Sequence, residues 1–73
     1  MNQQSITLQI TNAVKNKVEQ YGNTKRTLRH LVLNYTEQCE DYNPFWSYGD
    51  CMQYAVDTVQ KAYQELQINT PTN

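Results

Sequence analysis

Met52, Ala55, Val56, Val59, Ala62, Tyr63 and Leu66 follow one another at steps of 3, 1, 3, 3, 1 and 3. Such steps return side chains to one side of an α-helix, whereas a strand needs steps of two. The last third of the chain is thereby committed to an amphipathic helix. Leu28, Leu31, Val32, Tyr35, Cys39 and Tyr42 repeat the pattern at steps of 3, 1, 3, 4 and 3, which predicts a second. Glycine and proline fall only at Gly22, Pro44, Gly49 and Pro71, dividing the chain into three segments and a tail. Thr24 offers a hydroxyl to the first free amides of the second segment, and Pro44 disfavours helical geometry in Asn43. That helix is placed at about 25–42. Asp50 followed by Gln53 reads as a capping pair, so the third is placed at about 51–67.

The first segment carries two periods at once. Ile6, Leu8 and Ile10 alternate with Thr7, Gln9 and Thr11 as in a strand, yet Ile6, Ile10, Ala13, Val14, Val18 and Tyr21 share a helical face. A strand here has no convincing partner, so a helix at about 5–21 is expected, closed by Gly22. The predicted fold is a single all-α domain over 1–73, a small antiparallel three-helix bundle with a tail frayed from Asn69. Its most secure core is Leu28, Leu31, Val32, Tyr35, Val56, Val59 and Leu66. Lys17 falls within the apolar stripe of the first helix, either as a snorkelling stem or at an interface.

Composition tests whether such a chain folds at all. Leu, Ile, Val and Phe number 14 of 73, close to the poverty of disordered chains. The net charge of −1 argues the other way, and six Tyr, one Trp and two Met add apolar area. One core of this size rarely yields more than ~3–5 kcal/mol of net stability. The longest apolar run is Leu31-Val32-Leu33, too short to span a membrane, and the N-terminal residues lack the pattern of a secretory signal. A cytoplasmic location is the expectation. Cys39 and Cys51, twelve residues apart, lack metal-site spacing; they are free buried thiols or a disulfide between helix ends.

The near-zero total hides a bipolar charge distribution. Residues 1–30 carry Lys15, Lys17, Lys25, Arg26 and Arg29 against Glu19, whereas residues 31–73 carry six acids against Lys61. Within the basic half, the stretch Tyr21-Gly22-Asn23-Thr24-Lys25-Arg26-Thr27-Leu28-Arg29-His30-Leu31 resembles the turn and recognition helix of helix-turn-helix proteins. Gly22, Thr24 and the apolar Leu28 and Leu31 stand at that family's offsets, while Asn23 replaces the usual apolar residue after the turn glycine. The resemblance implies DNA binding through Lys25, Arg26 and Arg29. Against it, Glu37, Glu40 and Asp41 on the same helix would repel a phosphate backbone.

The other concentration is aromatic. Tyr42, Phe45, Trp46 and Tyr48 lie within seven residues at the bend between the second and third helices, half of the chain's aromatic side chains. Some of these rings can plug the open end of a helical hairpin, but four are more than one bend needs. Trp and Tyr often dominate binding energy when a partner buries them. With Glu40, Asp41 and Asp50 beside them, these rings suit a larger protein with a basic or mixed surface. No enzymatic activity, cofactor or metal is expected: His30 is the single histidine, phosphate-loop and HExxH patterns are missing, and a chain this short has little room for a pocket around Glu37, Glu40 and Asp41. The expected function is that of a small non-catalytic inhibitor, adaptor or regulator of another protein, one version being a phage or mobile-element inhibitor of a host nuclease or defence complex. The alternative is a helix-turn-helix DNA binder. Leu33 on an outer face, together with Lys17, also raises a homodimer.

Overall fold

A computed structural model describes residues 3–71, with residues 3–7 described through the backbone alone; the side chain of Ile6 lies outside the described residues. Three helices, α1 (Gln3–Tyr21), α2 (Lys25–Tyr42) and α3 (Tyr48–Glu65), make an all-α bundle. The helical period thus prevails over the alternating one at residues 6–10. The alternation belongs to the sequence alone: a lone strand would leave its backbone donors and acceptors unpaired, and a helix pairs them internally.

Each boundary has a local cause. Gly22 takes φ +90, a left-handed conformation that suits glycine, while its amide still donates to the carbonyl of Val18 at 2.8 Å. Two residues on, Thr24 caps α2, its Oγ1 accepting the Thr27 amide at 3.2 Å. The end of α2 is set at Asn43, whose backbone and side-chain amides both donate to the Cys39 carbonyl, at 2.8 and 3.1 Å. The start of α3 corrects the sequence expectation. Ser47 is the N-cap, accepting the Asp50 amide at 3.1 Å, so the helix begins three residues earlier than residue 51 and Asp50 lies in its first turn. Ser47-Tyr48-Gly49-Asp50 has the Ser-x-x-Asp form of a capping sequence. Gly49 reads as a breaker in the sequence, but one glycine in a first turn costs only about 1 kcal/mol. The last turn of α3 closes at Leu66, where Ile68 donates to the Tyr63 carbonyl and Gln67 to that of Gln64. This is a Schellman end with Gln67, φ 58, in the left-handed position usually held by glycine.

The core comprises Val14 from α1, Leu31 and Tyr35 from α2, and Ala55, Val59, Ala62 and Tyr63 from α3. Ile10, Val18, Leu28, Val32, Leu66 and Ile68 pack against it from partly exposed positions. Of the expected core, Leu31 and Val59 are enclosed, Tyr35 is at the edge of burial, Leu28, Val32 and Leu66 form the margin, and Val56 is half-buried outside that cluster. The small side chains of Ala55 and Ala62 bring α3 close to its neighbours, and α2 with α3 forms the dominant pair, an antiparallel hairpin joined by a five-residue bend. Helix α1 packs chiefly on α3 and has only limited contact with α2, despite the three-residue turn between them. The molecule measures 33 × 30 × 17 Å. Two buried threonines are satisfied locally: Thr36 donates to the Val32 carbonyl at 2.7 Å, and Thr27 pairs with the Thr24 hydroxyl at 3.1 Å. Beyond α3 the chain leaves regular structure, and the Asn69 carbonyl accepts from Asn23 Nδ2 at 2.8 Å. Ile68 reaches the core, and this tethers the tail to the turn before α2.

Candidate functional site

The bend between α2 and α3 is a short, fully bonded turn. Asn43 accepts the Trp46 amide at 3.0 Å, so Asn43-Pro44-Phe45-Trp46 closes as a β-turn with Pro44 in the second position. Phe45 thereby occupies the tip and is 99 % exposed. Tyr42, in the last turn of α2, is 84 % exposed. Neither ring plugs the hairpin. Trp46 and Tyr48 are about half exposed, at 48 % and 52 %. Trp46 meets Tyr54 edge to face, with ring centroids 6.3 Å apart and planes at 79°. That geometry is a favoured aromatic contact and fixes the indole against α3 rather than in the core.

Tyr54 is a member of this cluster that the sequence reading missed. It stands one residue off the apolar stripe of α3, so periodicity assigns it to the outer face, and its relevance emerges only when the bend folds back onto α3. The rings are not all on one side. Tyr42 and Tyr54 border a groove of about 450 Å³ that reaches Ile10 and Tyr35, whereas Tyr48 borders another of about 490 Å³ with Leu33, Met52 and Val32. Phe45 projects at the tip between them in sequence. Glu40, Asp41 and Asp50 are exposed, giving the end of the molecule that carries the rings an acidic character.

The basic residues of the DNA-binding alternative are exposed as well, but in two settings. Lys25 and Arg29 line the groove of Leu33, Tyr48 and Met52, while Arg26 lines a separate concavity with Lys17, Tyr21 and His30. A helix explains the division: Lys25 and Arg29 are one turn apart, and Arg26 is rotated by about 100° from Lys25. Glu37, Glu40 and Asp41 are all exposed on the same helix.

Cys39 and Cys51 are buried as free thiols where the end of α2 meets the start of α3. Asn43 Nδ2 also approaches Cys39 Sγ at 3.6 Å. Burial, then the neighbouring Cys39 and the carboxylates Glu40 and Asp50, push the Cys51 thiol from 9.0 up to about 11. It is therefore protonated at neutral pH, the opposite of an activated nucleophile. Among the described residues no group of three His, Cys, Asp or Glu side chains is placed to hold a metal ion, and no helix is long and apolar enough to cross a membrane. No family model, curated protein or solved structure matches the chain.

Proposed function

We propose that this chain is a small non-catalytic protein-binding module, an inhibitor, adaptor or regulator of a larger protein, whose contact surface is Tyr42, Phe45, Trp46 and Tyr48 with Glu40 and Asp41 beside them. The observation that carries the reading is Phe45, a phenylalanine held at the tip of a bonded turn with 99 % of its surface in water. It contributes little to folding, yet burying such a ring against a partner is worth about 1.5–3 kcal/mol. The acidic residues at this end favour a partner with a basic or mixed surface and disfavour a phosphate backbone. The test is affinity capture from cells of the native host, with and without nuclease, comparing the parent with Phe45→Ala. A protein that survives nuclease and is lost with Phe45→Ala supports the reading; recovery that depends wholly on nucleic acid removes it.

The DNA-binding alternative is favoured by one observation, the turn itself. Gly22 in a left-handed conformation, the Thr24 cap and a three-residue turn between α1 and α2 fit a helix-turn-helix corner. A recognition helix reads DNA with its N-terminal residues in the groove, which here would bring in Lys25, Arg26 and Arg29. On that reading, reversing Arg26 and Arg29 to Glu abolishes binding, affinity falls steeply with salt, and Phe45→Ala is silent.

A further inference from the structure

The corner between α1 and α2 encloses a concavity of about 520 Å³ lined by Lys17, Tyr21, Thr24, Arg26, Thr27 and His30. Its chemistry differs from the acidic, aromatic end of the molecule. Lys17 and Tyr21 are one turn apart on α1, and the Lys17 ammonium is held 5.2 Å from the centre of the Tyr21 ring. Arg26 and His30 are one turn apart on α2, so their side chains share the face that borders the same space. Two helices thus bring an ammonium, a guanidinium and an imidazole to one concave place, with the positive N-terminal end of α2 beside them.

Among the described residues, no carboxylate lines the concavity. Glu19 lies two residues from both Lys17 and Tyr21, which puts it on the far side of α1. Glu37 is the first acid along the His30 face of α2, and two helical turns put it about 10 Å farther on. The floor is already satisfied: Thr27 is buried and its hydroxyl pairs with Thr24. Lys17 and Arg26 are both exposed at this recess, an arrangement that costs little when empty and favours an anion when filled.

We infer that this corner binds a phosphate group, as the free dianion or as the terminal phosphomonoester of a small molecule. Arg26 supplies the planar fork that matches two phosphate oxygens, Lys17 a point charge, and His30 a ring N–H donor. The size of the recess falls in the range of small-ligand sites, large enough for a nucleoside monophosphate. A duplex backbone suits it less well, because that ligand needs cations spread along a surface, and Arg29 and Lys25 line the other groove. This site is independent of the aromatic bend, and its failure leaves that proposal untouched.

The experiment is a titration of the ¹⁵N-labelled chain with inorganic phosphate, with adenosine 5′-monophosphate, and with a single-stranded oligodeoxynucleotide bearing hydroxyls at both ends, at constant ionic strength. Saturable shifts centred on Tyr21, Thr24, Arg26 and Thr27 with either of the first two probes are expected. Inorganic phosphate alone would identify the free dianion as ligand, and tighter binding of the monophosphate a phosphomonoester. Arg26→Gln and Lys17→Gln should each weaken binding about tenfold or more, since each removes a charged hydrogen-bonding partner. Lys15→Gln and Arg29→Gln, which delete the same charge from outside the recess, should change it less than twofold. Three results would overturn the inference: no saturable shift with either phosphate up to about 20 mM, which would put Kd well beyond the millimolar range, equal losses in all four variants, or tighter binding by the oligonucleotide than by both small probes.

Discussion

Replacing Tyr63 by phenylalanine removes one oxygen from the interior of the molecule and nothing else. Tyr63 is 1 % exposed, and its hydroxyl oxygen is buried with no hydrogen-bond partner among the described residues. In the unfolded chain that hydroxyl bonds to water, so folding strands it at a cost of about 1–3 kcal/mol. The replacement also leaves a void the size of one oxygen, which offsets about 0.3 kcal/mol of the gain. The net expectation is a stabilisation of about 0.7–2.7 kcal/mol. For a domain of this length each 1 kcal/mol raises the melting temperature by about 4–8 °C. Thermal and urea unfolding followed by circular dichroism should therefore show Tyr63→Phe melting at least about 3 °C above the parent, with unchanged helical signal. Tyr35→Phe is the control, because that ring is at the edge of burial and its hydroxyl is not stranded. It should not stabilise. A Tyr63→Phe variant that melted several degrees lower would refute the reasoning, by showing that the hydroxyl is bonded in solution.

Gln67→Gly should stabilise the protein by about 0.5–1 kcal/mol in the same melts, because Gln67 pays for a left-handed conformation that glycine adopts without strain; an unchanged or lower melting temperature would count against the Schellman end. Val59→Asp should leave the chain unfolded at room temperature, since an unpaired carboxylate at a fully buried position costs several kcal/mol, comparable with the ~3–5 kcal/mol available. Stability should fall with rising pH above about 9: the Cys51 thiol loses its proton near 9.0 in the unfolded chain and near 11 in the folded one, so the unfolded state is favoured across that window. Burial raises Tyr35 and Tyr63 as well, which extends the fall above pH 10; a urea midpoint constant from pH 8 to 10.5 would contradict it. A homodimer through Leu33, which is exposed on α2 beside Met52 and Tyr48, would appear in sedimentation at high micromolar concentration, and a monomer there removes it.

Helix number, type and approximate limits were legible because α2 and α3 carry stripes that only a helical period explains, because the strand-like alternation in α1 had no convincing partner, and because Gly22 and Pro44 stand at the breaks. The start of α3 was not, because Gly49 and the capping potential of Asp50 outweighed Ser47 in a local reading, whereas the folded chain satisfies the Asp50 amide with the Ser47 hydroxyl. Val56 and Tyr54 show a second limit. A stripe assigns residues to a face but does not say how wide the covered part is; with α2 and α1 both seated on α3, the buried band centres on Ala55, Val59, Ala62 and Tyr63, leaving Val56 at its margin. Lys17, Arg26 and His30 show a third. Their meeting depends on how the turn at residues 22–24 places α1 against α2, and no spacing along one helix contains that information.

Rigidity is what connects the bend's local chemistry to its proposed use. An exposed phenylalanine on a loose loop would lose conformational freedom when a partner covered it, and that loss would offset much of the gain from burial. Here Asn43 bonds backward to Cys39 and forward to Trp46, Pro44 fixes one backbone angle, Ser47 caps the next helix, and Trp46 rests on Tyr54. The backbone of the bend is ordered before any partner arrives, so most of the area of Phe45 and Tyr42 is left to contribute to affinity. The same bonds separate two roles within one cluster. Phe45→Ala should weaken partner binding by about 2 kcal/mol, as a central anchor does, with no change in melting temperature. Trp46→Ala removes the contact with Tyr54 and should lower both binding and stability, the latter by about 0.5–1.5 kcal/mol from the ring pair. If Phe45→Ala destabilised the fold while binding persisted, Phe45 would be a packed residue in solution, and the surface would have to be sought elsewhere on the molecule.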